Sequence, residues 1–268
     1  MGKHAQLVMG PAGSGKSTYC DLMLKHCENT GRTVHVVNLD PAAESFKYPV
    51  SADIRDLISV DDVMEELGLG PNGALVFCME YLIENIDWLA EQLGDYADDY
   101  LIFDCPGQIE IFTHVDVMKS FVTTVERLGY RVCGVFLLDS IFISDASKFI
   151  SGIMACLSAM VQLEIPHVNV LSKCDLLANK PMLEKFLDTD LSVILPNLCQ
   201  TMSGRFRALN ETIGELIEQY SMVSFLPLNP NDDDTITYLL SNIDVAIQYG
   251  EDLEPLETRD DGDREEIE

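Results

Sequence analysis

Residues 10–17 read Gly10-Pro11-Ala12-Gly13-Ser14-Gly15-Lys16-Ser17, and Thr18 follows. Every required position of G-x-x-x-x-G-K-[ST] is filled. In this pattern the glycines let backbone N–H groups turn around phosphate oxygens. Lys16 then reaches the β- and γ-phosphates, and the Ser17 hydroxyl ligates Mg²⁺. Gly13, Ser14, Gly15, Lys16, Ser17 and Thr18 form the candidate triphosphate-binding set. The flanks agree with this reading. His4-Ala5-Gln6-Leu7-Val8-Met9 is a short apolar strand, and residues 17–27 carry helix formers. The loop therefore opens a helix whose N-terminal dipole favours anions.

Working outward, the same alternation recurs. Apolar runs at 33–39, 100–103, 131–138, 167–171 and 222–226 are separated by helical patterns, making six short strands in all. Runs buried on both faces and joined by crossovers predict an α/β fold with an all-parallel central sheet flanked by helices. A short acidic helix over 61–67 is followed by a glycine-rich break. Leu75, Met79, Leu82, Ile86, Leu89 and Leu93 then recur at helical spacing, an amphipathic helix of about five turns. That crossover argues against the small-GTPase layout, in which the neighbouring strand is antiparallel. Residues 144–163 predict a core helix rich in small residues, with a close-packed subunit interface as the alternative. Residues 178–220 read as a helical insertion within one domain spanning 1–250, and residues 251–268 as an acidic, disordered tail.

Polar residues cluster just after the strands, where open α/β sheets bind ligands. Asp104 ends one strand and is followed by Cys105-Pro106-Gly107-Gln108-Ile109-Glu110. A carboxylate at this place holds the Mg²⁺ shell, and Gly107 offers its N–H to the γ-phosphate. Gln108 and Glu110 are placed to orient or deprotonate water. Asp40, after the second strand, is a candidate for the metal's water shell or for the attacking water. It begins a switch-like stretch that includes Asp53 and Arg55. Arg55 is the nearest candidate for an arginine finger within the chain, and a weak one. Ser172-Lys173-Cys174-Asp175 differs by one residue from the guanine-reading N-K-x-D pattern. Asp175 would accept from the ring N–H and exocyclic amine of guanine, a donor pair that adenine lacks. Lys173 would lie along the base, and Ser172 offers a shorter arm than asparagine. Residues 225–229 are a weak candidate for a wall beside the base.

Composition narrows the partners. A net charge of −28 argues against direct contact with nucleic acid, because phosphates would be repelled. Ten acidic residues crowd 251–268 against Arg259 and Arg264. Eight cysteines form no C-x-x-C pair, which predicts a reducing compartment and neither disulfides nor structural zinc. The longest apolar stretch, 149–163, is too short to span a bilayer, so no membrane association is expected. Met1-Gly2-Lys3-His4 runs straight into the first strand and predicts no leader peptide. No basic import signal is visible.

Gly70-Pro71-Asn72 alone predicts a rigid exposed turn. Taken with the phosphate loop, Asp40-Pro41-Ala42-Ala43-Glu44, residues 104–110 and Ser172-Lys173-Cys174-Asp175, it makes the chain resemble the GPN-loop GTPases over residues 4–250. The resemblance is strongest to one group of eukaryotic paralogues, through residues 5–20 and 246–254. It implies a dimeric GTPase of the all-parallel P-loop class that uses GTP, GDP and Mg²⁺. The dimer would be a homodimer or a heterodimer with a paralogous GPN-loop GTPase. The resemblance also implies that Asn72 sits near the partner's bound phosphates, with Gln108, Glu110 and Asp40 arranging water. It further implies a link to assembly and nuclear import of RNA polymerase II, with a cytoplasmic protein that shuttles to the nucleus in company. Two other classes share the phosphate loop. One is a nucleotide-gated scaffold with negligible turnover. The other is a P-loop kinase, which needs an arginine-rich lid, whereas 178–220 carries only Arg205 and Arg207.

Overall fold

A computed structural model of the chain describes residues 2–94, 99–177, 183, 187, 207–219 and 223–251. Seven parallel strands form one sheet: β1 (Lys3–Met9), β2 (Val34–Asn38), β3 (Ala52–Asp53), β4 (Tyr100–Asp104), β5 (Tyr130–Asp139), β6 (His167–Ser172) and β7 (Phe225–Pro227). Their spatial order is β3-β2-β4-β1-β5-β6-β7. The helices are α1 (Lys16–Asn29), α2 (Val60–Leu67), α3 (Pro71–Glu84), α4 (Ile86–Leu93), α5 (Glu110–Thr113), α6 (Val117–Arg127), α7 (Ala146–Leu163), α8 (Arg207–Gln219) and α9 (Asp233–Ala246).

Side chains alternate across a strand, so each central strand feeds two cores. From β1, Ala5, Leu7 and Met9 join Leu101 and Phe103 of β4 in the core under α3, α6 and α7. Val8 points the other way, into a core shared with Met23 and Leu24 of α1 and Leu239 and Ile243 of α9. This two-sided burial explains the near-continuous apolar runs. The register sets the functional edge. Val8 and Asn38 both pair with Asp104, and Asp139 pairs with Ser172.

The parallel α/β architecture matches the expectation, with local departures. Six strands were legible; the seventh, β3, has two residues, too few to show a period. The last strand is Phe225–Pro227, displaced from 222–226. The five-turn helix is two helices. Asn85 interrupts it, its side-chain amide donating to the Tyr81 carbonyl at 2.8 Å. Leu75, Met79 and Leu82 of α3 and Leu89 and Leu93 of α4 share one core, so the spacing runs through the break. Gly70-Pro71-Asn72 opens α3: Gly70 is its N-cap and Pro71 its first residue. Proline suits that place, since its missing N–H would have no helical partner and its φ is preset.

The apolar stretch read as 149–163 extends to the 18 residues of α7, long and apolar enough by composition to cross a bilayer. Its Phe149, Ile153, Cys156 and Leu163 are nevertheless buried in the main core, the setting of a core helix. Seven cysteines are described; all are free and buried. Of the insertion at 178–220, α8 and the isolated Leu183 and Leu187 are described, both leucines packing on the main core. The rest of that insertion, and the tail beyond Glu251, lie outside the described residues.

Candidate functional site

The phosphate loop joins β1 to α1, and its shape requires glycine. Gly10 has φ 138°, and a Cβ there would lie 2.3 Å from the Leu137 carbonyl oxygen. Gly13 and Gly15 also hold positive φ, 79° and 95°. Lys16 is buried along the loop, its Nζ donating to the carbonyls of Gly10 (3.2 Å) and Pro11 (3.3 Å). Burial lowers its pKa, while the charges of Asp104 and Asp40 oppose that shift. Its ammonium thus stands among carboxylates.

A cleft of about 200 Å³ lies in front of this loop, lined among others by Lys16, Ser17, Asn38, Asp40, Asp104 and Gly107. Ligand pockets that take whole drug-sized molecules run from about 300 Å³ upward. The cleft therefore has room for phosphates and a cation, and a base must lie outside it. Gly107 closes one wall: a Cβ there would be 3.0 Å from Ala12 Cα and 3.2 Å from Lys16 Nζ. Asp104, at the end of β4, is buried, and burial pushes its pKa up. Hydrogen bonds from Tyr48 and Ser17 and the charge of Lys16 act in the other direction. Asp40 follows β2; burial raises its pKa too, against the Ala42 N–H, which donates to Oδ1 at 3.0 Å.

The Ser17 hydroxyl and the Asp104 and Asp40 carboxylates are hard oxygen donors, and burial raises the pKa of both carboxyls, a cost that a bound cation would offset. This donor set fits Mg²⁺ shared with phosphate oxygens. Among the described residues no group of three or more His, Cys, Asp or Glu side chains could hold a metal without such help.

The next two strand ends build a second part of the site. Ser172 is buried, its Oγ 2.6 Å from the Ser14 carbonyl and 3.2 Å from that of Leu138. This short side chain braces the phosphate loop against β5, a different role from the base contact expected. Lys173 sits at φ 59° and reaches back to the Gly13 carbonyl and to Asp139 Oδ2, each at 2.6 Å. Asp175 is exposed on the turn Cys174–Leu176. The N–H of Cys174 donates to the Leu228 carbonyl at 3.2 Å, which sets residues 225–229 beside the turn.

The water-arranging candidates are only partly assembled. Gln108 Nε2 donates to Asn72 Oδ1 of the same chain at 2.9 Å. The resemblance had placed Asn72 at a partner's phosphates; here it meets its own chain's glutamine. Glu110 opens α5 with an exposed side chain. Thr18 is exposed and accepts from Lys47 Nζ at 3.4 Å. Arg55 does not face the phosphates. Its guanidinium grips the Asp53 carboxylate (Nη2–Oδ2 2.6 Å) and donates to the Ala43 carbonyl at 2.7 Å. Three participants escaped the sequence reading. Tyr48 donates to Asp104 Oδ2 at 2.6 Å. Asn38 bridges the Asp40 carbonyl and Asp53. Asp139 holds Lys173. Asn38 and Asp139 had a signal, as polar residues ending apolar strands; Tyr48 had none.

A glycine-shaped phosphate loop facing a buried strand-end carboxylate, on the carboxyl edge of an all-parallel sheet, defines a P-loop nucleoside triphosphatase. A family model described as a conserved hypothetical ATP binding protein matches residues 8–249. A protein named GPN-loop GTPase 3 from Dictyostelium discoideum is 58% identical over 260 residues, 96% of this chain and 91% of that one. Its namesake from Danio rerio is 57% identical over 265 residues, 97% of this chain and 93% of the other. That from Saccharomyces cerevisiae is 47% identical over 272, covering 99% and 100%. The chain belongs to the GPN-loop GTPase family. The crystal structure of a GTPase in apo form from Pyrococcus abyssi superposes with a TM-score of 0.74 at 22% identity, over 91% of this chain and 97% of that one, and shares the fold.

Proposed function

We propose that the chain binds GTP with Mg²⁺ in this cleft and hydrolyses it to GDP and phosphate. The observation that carries the reading is the convergence of Lys16, Ser17, Asp40, Asp104 and Gly107 on one phosphate-sized cleft. Asp175 stands beyond it, two residues after the lysine that clasps the phosphate loop. The family model's description names ATP, whereas the relatives' names say GTPase. The chemistry of Asp175 favours guanine, since a carboxylate pairs with guanine's two adjacent donors and would be left unpaired by adenine. When bound, Mg²⁺ supplies charge neutralisation at the phosphates. Lys16 and the backbone N–H groups of the loop hold the phosphates, and Gln108 presents its carboxamide toward an attacking water.

Supported by the resemblance alone, the same reading makes the protein one half of a dimer, either with itself or with a paralogous GPN-loop GTPase. It works as a cytoplasmic switch that assists assembly and nuclear import of RNA polymerase II, entering the nucleus with a partner. One observation favours a second reading, a nucleotide-gated scaffold with negligible turnover: among the described residues no arginine lines the cleft, and Arg55 is committed to Asp53. An arginine finger is worth about 10³–10⁵ in rate. Calorimetry with GTP and ATP, with single-turnover hydrolysis on the purified dimer, tests both. Preference for GTP and its loss in Lys16→Ala are expected. Equal affinity for ATP would overturn the guanine reading, and GTP held intact for hours while client binding follows nucleotide would favour the scaffold.

A further inference from the structure

Residues 41–50 connect β2 to β3 without forming helix or strand, and only Pro41 and Tyr48 among them are buried. An irregular loop of this length has no ladder to hold it, so its order rests on a few side-chain anchors. There are two. The first is Arg55, which donates to the Ala43 carbonyl at 2.7 Å and lies 4.6 Å from the centre of the Phe46 ring. The second is Tyr48. Its ring packs beside Phe46 with centroids 5.6 Å apart and enters the core next to α1. Its hydroxyl donates to Oδ2 of Asp104 at 2.6 Å. A buried phenol needs an acceptor, and it has taken an oxygen of the carboxylate that the cation site depends on.

We propose that Tyr48 is a positioning residue for Asp104, tying the order of residues 41–50 to the cation at the phosphate site. The inference rests on the reading of the cleft as a Mg²⁺–nucleotide site. Tyr48 fixes the orientation of the carboxylate, and the carboxylate in turn holds the loop. The loop also presents Ala43, Ser45 and Phe46 to the cleft. Whatever reorganises around Asp104 when Mg²⁺ enters is thereby transmitted to a surface segment, through one hydroxyl.

Tyr48→Phe removes that hydroxyl and keeps the ring in the core. Two readouts are taken on the full chain: the Mg²⁺ concentration giving half-maximal binding of a fluorescent GDP analogue, and limited trypsin cleavage after the exposed Lys47. Relative to the unaltered chain, Tyr48→Phe is expected to need about tenfold more Mg²⁺, the effect of losing one charge-assisted hydrogen bond. Added Mg²⁺ should protect Lys47 in the unaltered chain but not in Tyr48→Phe. Val50→Ala is the control for general loosening: it trims a contact that packs the same loop on the core next to α1, away from the cleft lining, and leaves the phenol in place. Faster cleavage with an unchanged Mg²⁺ requirement is expected there. A Mg²⁺ requirement in Tyr48→Phe equal to the unaltered chain's would overturn the proposal, and so would an equal rise in Val50→Ala. An unaltered chain that binds no guanine nucleotide with Mg²⁺ would refute the function itself, a different failure from normal binding unaffected by Tyr48→Phe.

Discussion

Asn72→Ala decides how the tripeptide that opens α3 takes part in hydrolysis. In the structure Asn72 Oδ1 accepts from Gln108 Nε2 at 2.9 Å within one chain. Tying down the NH₂ group leaves Gln108 Oε1 as its free acceptor, the atom suited to receive a proton of the attacking water. Asn72 stays in place because the helix behind it is anchored by Ala74, Leu75, Cys78, Met79 and Leu82. Losing a neutral, exposed hydrogen bond costs about 1 kcal/mol, which is about a fivefold loss in kcat if the bond persists in the transition state. Because the bond acts through Gln108, the loss should vanish when Asn72→Ala is made in a Gln108→Ala background. Single-turnover hydrolysis of GTP by the four members of that cycle measures the coupling. If the chain pairs as proposed, dimers altered on one side locate it: the Asn72–Gln108 bond within one chain expects the defect in the altered chain's own site, and a role across the dimer expects it in the neighbour's. Additive losses, or a defect confined to the unaltered neighbour, would refute the coupling described here.

Gly107→Ala should cut GTP affinity by about tenfold or more, with little change in melting temperature. The new methyl meets the Ala12 backbone at 3.0 Å and Lys16 Nζ at 3.2 Å, while its own φ is unstrained; calorimetry showing unchanged affinity would count against the cleft geometry. Gly152→Ala should destabilise the fold by about 1 kcal/mol in urea unfolding, because its Cβ would lie 2.7 Å from Cδ2 of the fully buried Leu138. Burial raises the pKa of both Asp40 and Asp104. Their protonation therefore favours the ligand-free fold at pH values below the unfolded carboxylate's, and that contribution fades as pH rises through the raised values. Binding of Mg²⁺–GTP needs both ionised. The rise in melting temperature caused by Mg²⁺–GTP should thus shrink as pH falls, with the loss setting in above the ordinary carboxylate range; a rise that shrinks only within or below that range would contradict the pKa directions.

What the sequence disclosed, and what it hid, follows from the range of each interaction. The phosphate loop was legible because its function is carried by consecutive backbone groups whose conformation only glycine permits, as Gly10 against the Leu137 carbonyl shows. The parallel sheet was legible because burial on both faces leaves a continuous apolar run. β3 was hidden because two residues carry no period, and the break at Asn85 because α3 and α4 bury the same stripe. Tyr48 was hidden for a stronger reason. Its partner lies 56 residues away, and nothing in Phe46-Lys47-Tyr48-Pro49 marks which carboxylate the phenol will reach.

Ser172 shows how a motif can keep its place and change its work. An asparagine there was expected to extend a polar arm toward the base, so serine reads locally as a weakened contact. In the fold, β6 lies beside β5, and the register puts Ser172 opposite Asp139. The strand end is then close enough to the phosphate loop for a hydroxyl to meet the Ser14 carbonyl at 2.6 Å. Two residues of one strand end therefore hold the phosphate loop from outside: Ser172 at Ser14, and Lys173 at Gly13 while itself held by Asp139. Asp175, the proposed guanine reader, follows two residues after Lys173 on the same turn that clasps the phosphate loop. If the proposed base reading holds, the base and the phosphates are gripped from one strand end.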